Sequence, residues 1–210
     1  AIAAAMFGYL FTGAVGTVLF ARHGSIRWRA AIWLCLGAVP FAFAGAWASN
    51  VFPAGGLEAA IAALVAFAGW QALRRKESDA GSLPDPAALA GIASGVGFIS
   101  AVTGTGGPVT LVPVLLWLDV PVLAAIGLSQ TIMVPIAAAA SWGNILYGSL
   151  DFILGAVIAA GLAAGAVAGG LFAHTLTTER LRQFLAVAMI VIGALLIGRL
   201  GLKLFGAPGV

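Results

Sequence analysis

Thr103-Gly104-Thr105-Gly106-Gly107-Pro108-Val109-Thr110-Leu111-Val112-Pro113 lies inside an apolar region that runs from Pro86 to Leu118. Glycine is entropically costly in a helix and proline lacks the amide hydrogen, so an unbroken helix through these residues is disfavoured. The spacing predicts two short helices meeting at a glycine break. Pro108 is expected as the first position of the second helix, where a missing N–H leaves no bond unmade. In hydrocarbon such a break has to be buried in protein or line a watery cavity, because its backbone groups would otherwise go unpaired. A helix starting there aims free N–H groups and the positive end of its dipole at whatever lies in front of it. That is an anion site built from backbone; the alternative is a glycine kink used only for close packing.

The composition sets the class. The 210 residues are 62% hydrophobic and 8% charged, with mean hydropathy +1.11. No soluble domain of this length hides so much apolar side chain, so the chain reads as all-α, a polytopic helical membrane protein. The apolar runs are too long, with too little alternation, for an outer-membrane barrel. The net charge of +3 is no nucleic-acid signal, since the basic residues sit at span ends as orientation signals do. The single cysteine, Cys35, lies in an apolar run, which excludes an internal disulfide. The chain starts at Ala1, is apolar at once and carries no basic leader, so it is expected to begin part-way through the natural protein.

About 20 residues cross the hydrocarbon. The predicted spans are Ala1–Ala21, Ala30–Ser49, Leu57–Leu73, the broken element Ala87–Leu118, Pro121–Tyr147, Phe152–Ala173 and Leu181–Leu204. The broken element is either one tilted, discontinuous crossing or a re-entrant pair of short helices. Asn50–Gly56 is a turn, and the polar run from Arg74 to Pro86 links two halves. The domains are therefore 1–76, a first repeat; 77–86, the linker; and 87–210, a second repeat. A shift of 124 residues carries Gly24 onto Gly148, Gly37 onto Gly161, Gly45 onto Gly169 and Gly69 onto Gly193. Under that shift a partner for the break would fall before Ala1, so the first half lacks its own broken element. The positive-inside rule puts the loops at 22–29 and 74–76 in the cytoplasm and ties beyond the break.

Every acidic and basic residue falls in a loop or at a span end, which excludes a carboxylate proton relay at mid-depth. The candidate anion-binding residues are Thr103, Gly104, Thr105, Gly106, Gly107, Pro108, Val109 and Thr110 at the break. Ser129, Gln130, Thr131 and Asn144 on the next helix join them. A lone Ser or Thr more often bonds its own helix carbonyl. Gln130 and Asn144 need partners beyond their own helix. Gly161, Gly165 and Gly169 form a double small-xxx-small pattern, and Gly91 and Gly95 a single one; both predict close helix approach. Most tryptophans sit near span ends, whereas Trp142 is interior and reads as packing. His23 and His174 are placed in loops, and nothing resembles a metal cluster, a nucleophile–base pair or a soluble phosphate loop.

Gly104-Thr105-Gly106-Gly107-Pro108 with Val112-Pro113, then Ala125-Ile126-Gly127-Leu128-Ser129, then Tyr147-Gly148-Ser149-Leu150-Asp151-Phe152, resembles the second half of the sulfite exporter TauE/SafE family. His23-Gly24-Ser25-Ile26-Arg27-Trp28-Arg29-Ala30 resembles the matching loop of the first half. Arg27 departs from the acidic residue often found there. The resemblance implies a multi-pass inner-membrane permease, not an enzyme, moving small sulfur-containing anions such as sulfite, sulfonates or sulfoacetate by alternating access. It implies no cofactor. The partners are a small anionic substrate and the lipid bilayer, with a homo-oligomer and a coupling proton left open. The competing readings are an anion channel and a membrane-embedded assembly subunit.

Overall fold

The structure is a computed structural model that describes residues 2–48, 62–63, 65–67, 69–70, 73, 83–146 and 152–205. All regular elements among them are helical: α1 (Ile2–Arg22), α2 (Trp28–Ala48), α3 (Pro86–Thr103), α4 (Gly106–Trp117), α5 (Val122–Leu146), α6 (Phe152–Thr175) and α7 (Thr178–Phe205). Six are long and apolar enough to cross a membrane, and α4 is a shorter apolar helix. Residues described between 62 and 73 are also helical, within the span expected at Leu57–Leu73. The Asn50–Gly56 turn, most of the 74–86 linker and the Tyr147–Asp151 part of the family motif lie outside the described residues, as does the Asn144 side chain.

The elbow between α3 and α4 sets the topology. Gly104 caps α3 in the left-handed region at φ 69°, its N–H bonding the Ser100 carbonyl at 3.0 Å. Gly106 takes φ 72°, a second position where a Cβ would be strained. The second helix begins at Gly106, not at Pro108 as expected; Pro108 is its third residue. The physical reason is that the whole first turn lacks intrahelical acceptors, so proline is tolerated anywhere in it. Ser100 Oγ lies 2.8 Å from Thr110 Oγ1. Ten residues of straight helix would separate them by about 15 Å. The chain therefore doubles back here as a folded pair of short helices, α4 returning to the level from which α5 departs.

Glycines set how closely the helices pack. A Cβ at Gly37 would strike the Ala90 carbonyl, one at Gly45 would lie 2.5 Å from the Phe98 carbonyl oxygen, and one at Gly97 2.5 Å from that of Ala38. So α2 and α3 run side by side at backbone contact. Helix α1 seats against α6 through Gly8, and against α5 through Gly13 and Gly16. The small-residue patterns expected to do this work do not: Gly91, Gly95, Gly161, Gly165 and Gly169 meet nothing within 4 Å among the described residues. All five are exposed, and Gly165 and Gly169 border a cavity that α6 and α7 share with α1 and α5. The core is apolar, with Leu34, Leu111, Leu115, Leu128, Ile132 and Ile136 fully buried. The outside is apolar too: Ile153 is 81% exposed, and Trp142, read as packing, is 62% exposed. An apolar exterior of this kind is a surface for lipid.

The ends of α1 and α6 meet, since Ser25 Oγ is 3.2 Å from His174 Nε2. His174 therefore stands in the last turn of α6 rather than in a loop; the sequence signal for the helix end fell two residues early. Arg180 and Arg182, which follow, share an end of the molecule with Arg22, Arg27 and Arg29. This is the arrangement the re-entrant alternative requires.

Replacing Gly37 by Leu is expected to lower stability by about 1–3 kcal/mol or more through overpacking. Gly91→Ala, in open space, should be neutral or stabilising by up to about 1 kcal/mol. Thermal melting in detergent checks both. Ser100→Ala should cost about 1–3 kcal/mol, because it strips a buried partner from Thr110 and from the Gly106 carbonyl.

Candidate anion site at the helix break

The elbow is held against α1 and α5. The Tyr9 ring lies 3.2 Å from where a Gly106 Cβ would be, and Met133 Sδ lies 3.6 Å from the same point. A Cβ on Gly107 would fall 3.1 Å from Ile132 and 3.4 Å from the Ser129 carbonyl oxygen. Two adjacent glycines thus let the start of α4 press onto the flank of α5, as the need for close backbone approach dictates.

Counting donors shows what this start has to offer. Thr103 Oγ1 donates to the Ile99 carbonyl at 2.7 Å and shares a 2.9 Å bond with Thr105 Oγ1. Ser100 donates to the Gly106 carbonyl at 3.0 Å, and Thr110 to that of Gly107 at 3.2 Å. Ser129 donates to Ala125 O at 2.7 Å, and Thr131 to Gly127 O at 2.9 Å. Each hydroxyl has one proton, and these are spent inside the protein. The hydroxyls close off carbonyls and leave the amides.

The amides are different. At other helix starts the amide four residues after the cap bonds the cap carbonyl: Leu89 to Asp85 at 2.9 Å, Leu181 to Thr177 at 3.0 Å. At the start of α4 the N–H groups of Gly106 and Gly107, which precede the first such bond, find no partner among the described residues, and Thr105 makes no side-chain cap bond. Gly106 and Gly107 are buried. Unpaired buried amides at the positive end of a helix are donors waiting for an acceptor.

Gln130 stands beside them on α5. Its Oε1 is buried without a hydrogen-bond partner. Its side chain fits only because Gly16 faces it, where a Cβ would come within 2.7 Å of Oε1. Gln130 and Pro108 both line a cavity of about 400 Å³ that is otherwise walled by Gly16, Phe20, Ile126 and apolar residues of α6 and α7. Among the described residues Gln130 contributes the one polar side chain of that lining, and no charged group does. The arrangement can hold a small anion by hydrogen bonds and helix dipole without a counter-charge. Among the sequence candidates, the structure gathers residues 103–110 with 129–131 at one place. It adds Tyr9, Gly16, Ser100 and Met133, which carried no local signal. Tyr9 sits in an ordinary apolar span, and only the α1–α4 contact gives it a position.

Compared with models of protein families, residues 1–196 match the family described as Sulfite exporter TauE/SafE. Neither the curated proteins nor the solved structures gave a match. The match covers nearly the whole chain, its members are membrane transporters of sulfite and related anions rather than enzymes, and six apolar spans fit that setting. The chain belongs to the sulfite exporter TauE/SafE family and is a multi-pass membrane protein.

Proposed function

We propose that the protein is a secondary permease of the inner membrane that carries a small sulfur oxyanion, sulfite or a sulfonate, across by alternating access. The observation that supports this most is the pair of unpartnered, buried amides of Gly106 and Gly107 at the start of α4. The anion's oxygens accept from these amides. The Gln130 amide, whose nitrogen carries two donors, completes the shell after rotating about its last bond. Thr103, Thr105, Thr110, Ser129 and Thr131 shape the site by holding carbonyls away from it. The absence of a mid-depth arginine suits turnover, because a fully paired buried charge would hold the anion too tightly to release it.

The movement would run between two helical repeats, residues 1–76 and 87–210. The packing supports this reading: α1 lies against both α5, its counterpart under the 124-residue shift, and α6, while α2 lies against α5. The basic end, with Arg22, Arg27, Arg29, Arg180 and Arg182, would face the cytoplasm.

Proteoliposomes loaded by counterflow provide the test. Labelled sulfite should enter with saturation kinetics and show counterflow, whereas a channel would show neither. Gly107→Leu should abolish uptake, since its side chain would strike Ile132 and the Ser129 carbonyl and push the start of α4 off α5. Gln130→Met keeps the shape and removes the amide. It should raise KM by about 5- to 100-fold, the equivalent of roughly 1–3 kcal/mol. Its melting temperature should hold or rise, because a buried unpartnered oxygen is gone. Unchanged KM in Gln130→Met together with uptake in Gly107→Leu would refute the site.

A further inference from the structure

His23 and His174 are far apart in sequence yet stack at the shared end of α1 and α6, with ring centroids 4.0 Å apart and planes inclined by 27°. Each ring is hooked to its own helix end. His23 Nδ1 lies 2.8 Å from the Leu19 carbonyl oxygen and His174 Nδ1 2.7 Å from that of Gly170. A carbonyl can only accept, so both Nδ1 atoms carry hydrogen and both Nε2 atoms hold a lone pair in the neutral rings. The Nε2 of His174 then accepts from the Ser25 hydroxyl.

We propose that this pair is a proton-binding site that latches α1 to α6 beside the cavity. A proton adds at Nε2 of either ring; no other bond forms or breaks. The first charge lies at the C-terminal ends of α1 and α6, the negative ends of their dipoles. Ser25 can turn to accept from the new N–H. The second proton sets two cations face to face. No bond made by either ring is to a carboxylate. The surrounding ionisable groups are mostly cations. Arg22 ends α1, Arg27 lies in the turn and Arg29 begins α2; Glu179, Arg180 and Arg182 follow at the start of α7. Helix α5 contains no ionisable residue and α6 no other than His174. Two like charges on rings stacked at 4.0 Å repel, and the doubly charged form pushes the helix ends apart.

The separation reaches the cavity through two contacts. His174 packs on Phe20 at 4.7 Å and holds the Gly170 carbonyl, and both Phe20 and Gly170 line the cavity with Ala173. Acid on the basic side would thus loosen one wall of the cavity, giving the protein a response to pH that the neutral break itself cannot provide. This inference does not depend on which solute the cavity takes.

Hydrogen exchange of the full chain in lipid nanodiscs tests it, with rates corrected for intrinsic pH dependence and compared at about pH 8 and about pH 5, the range over which histidine changes charge. Amides of residues 19–27 and 170–176 should exchange at least about fivefold faster at the acid end, while those of residues 8–16 stay unchanged. His23→Phe keeps a stacked ring and removes one charge, so its acid response should vanish; His174→Gln should behave likewise. Absence of any acid response in the native chain, or an equal response in His23→Phe, would overturn the latch.

Discussion

A backbone amide in hydrocarbon has to find a partner or a polar hollow, and this constraint shapes the protein around residues 103–110. The chain could have crossed the membrane there as another uninterrupted helix. Instead it turns through two left-handed glycines and doubles back, which exposes several N–H and C=O groups at once. The carbonyls are covered locally by Ser100, Thr110 and the Thr103–Thr105 pair. The neighbouring helices bury the elbow, and the amides of Gly106 and Gly107 are left without a protein partner among the described residues. Close packing makes this burial feasible: α2 carries glycines where α3 presses on it, and α4 presents Gly106 and Gly107 to α1 and α5.

The chemistry that results is electrically mild. A charged side chain at this depth would need a partner to offset its desolvation, and would then bind an anion by exchanging one ion pair for another. Amide hydrogens and a helix dipole are fixed, carry only partial charge, and need no proton. They favour any small oxyanion over a cation without committing the site to tight binding. Discrimination among anions then falls to shape, and the mostly apolar walls of the cavity beside Gln130 set that shape.

Glycine illustrates why motif and role diverge. Gly161, Gly165 and Gly169 have the spacing of a helix-packing seam, yet no described helix comes within 4 Å of them and two of them border the cavity, while Gly37, Gly45 and Gly97 do the packing. Both sets look alike along the chain, because small-xxx-small spacing reports only that an approach is sterically allowed. The hydroxyls behave the same way. Ser129 and Thr131 were candidate donors by position, and each turned out to bond the carbonyl one helical turn back, as isolated hydroxyls in apolar helices do. Gln130 could not do so, and the need for an external partner is what marked it from the start.

Read alone, the chain determined its class, the rough bounds of those apolar spans that the described residues cover, and the place of the break. These follow from local terms: transfer of side chains into lipid, glycine's backbone freedom and proline's missing hydrogen. Family membership was legible as well, because the glycine-rich stretch keeps its order and spacing. The direction of the chain beyond the break was not legible, since a tilted crossing and a folded pair have the same composition; only the Ser100–Thr110 contact decides between them. Nor were Tyr9 against Gly106, Gly16 under Gln130, or the meeting of His23 with His174. Each joins residues from different helices, and such contacts depend on how helices rotate and seat against one another, a matter of tertiary packing that no local spacing encodes.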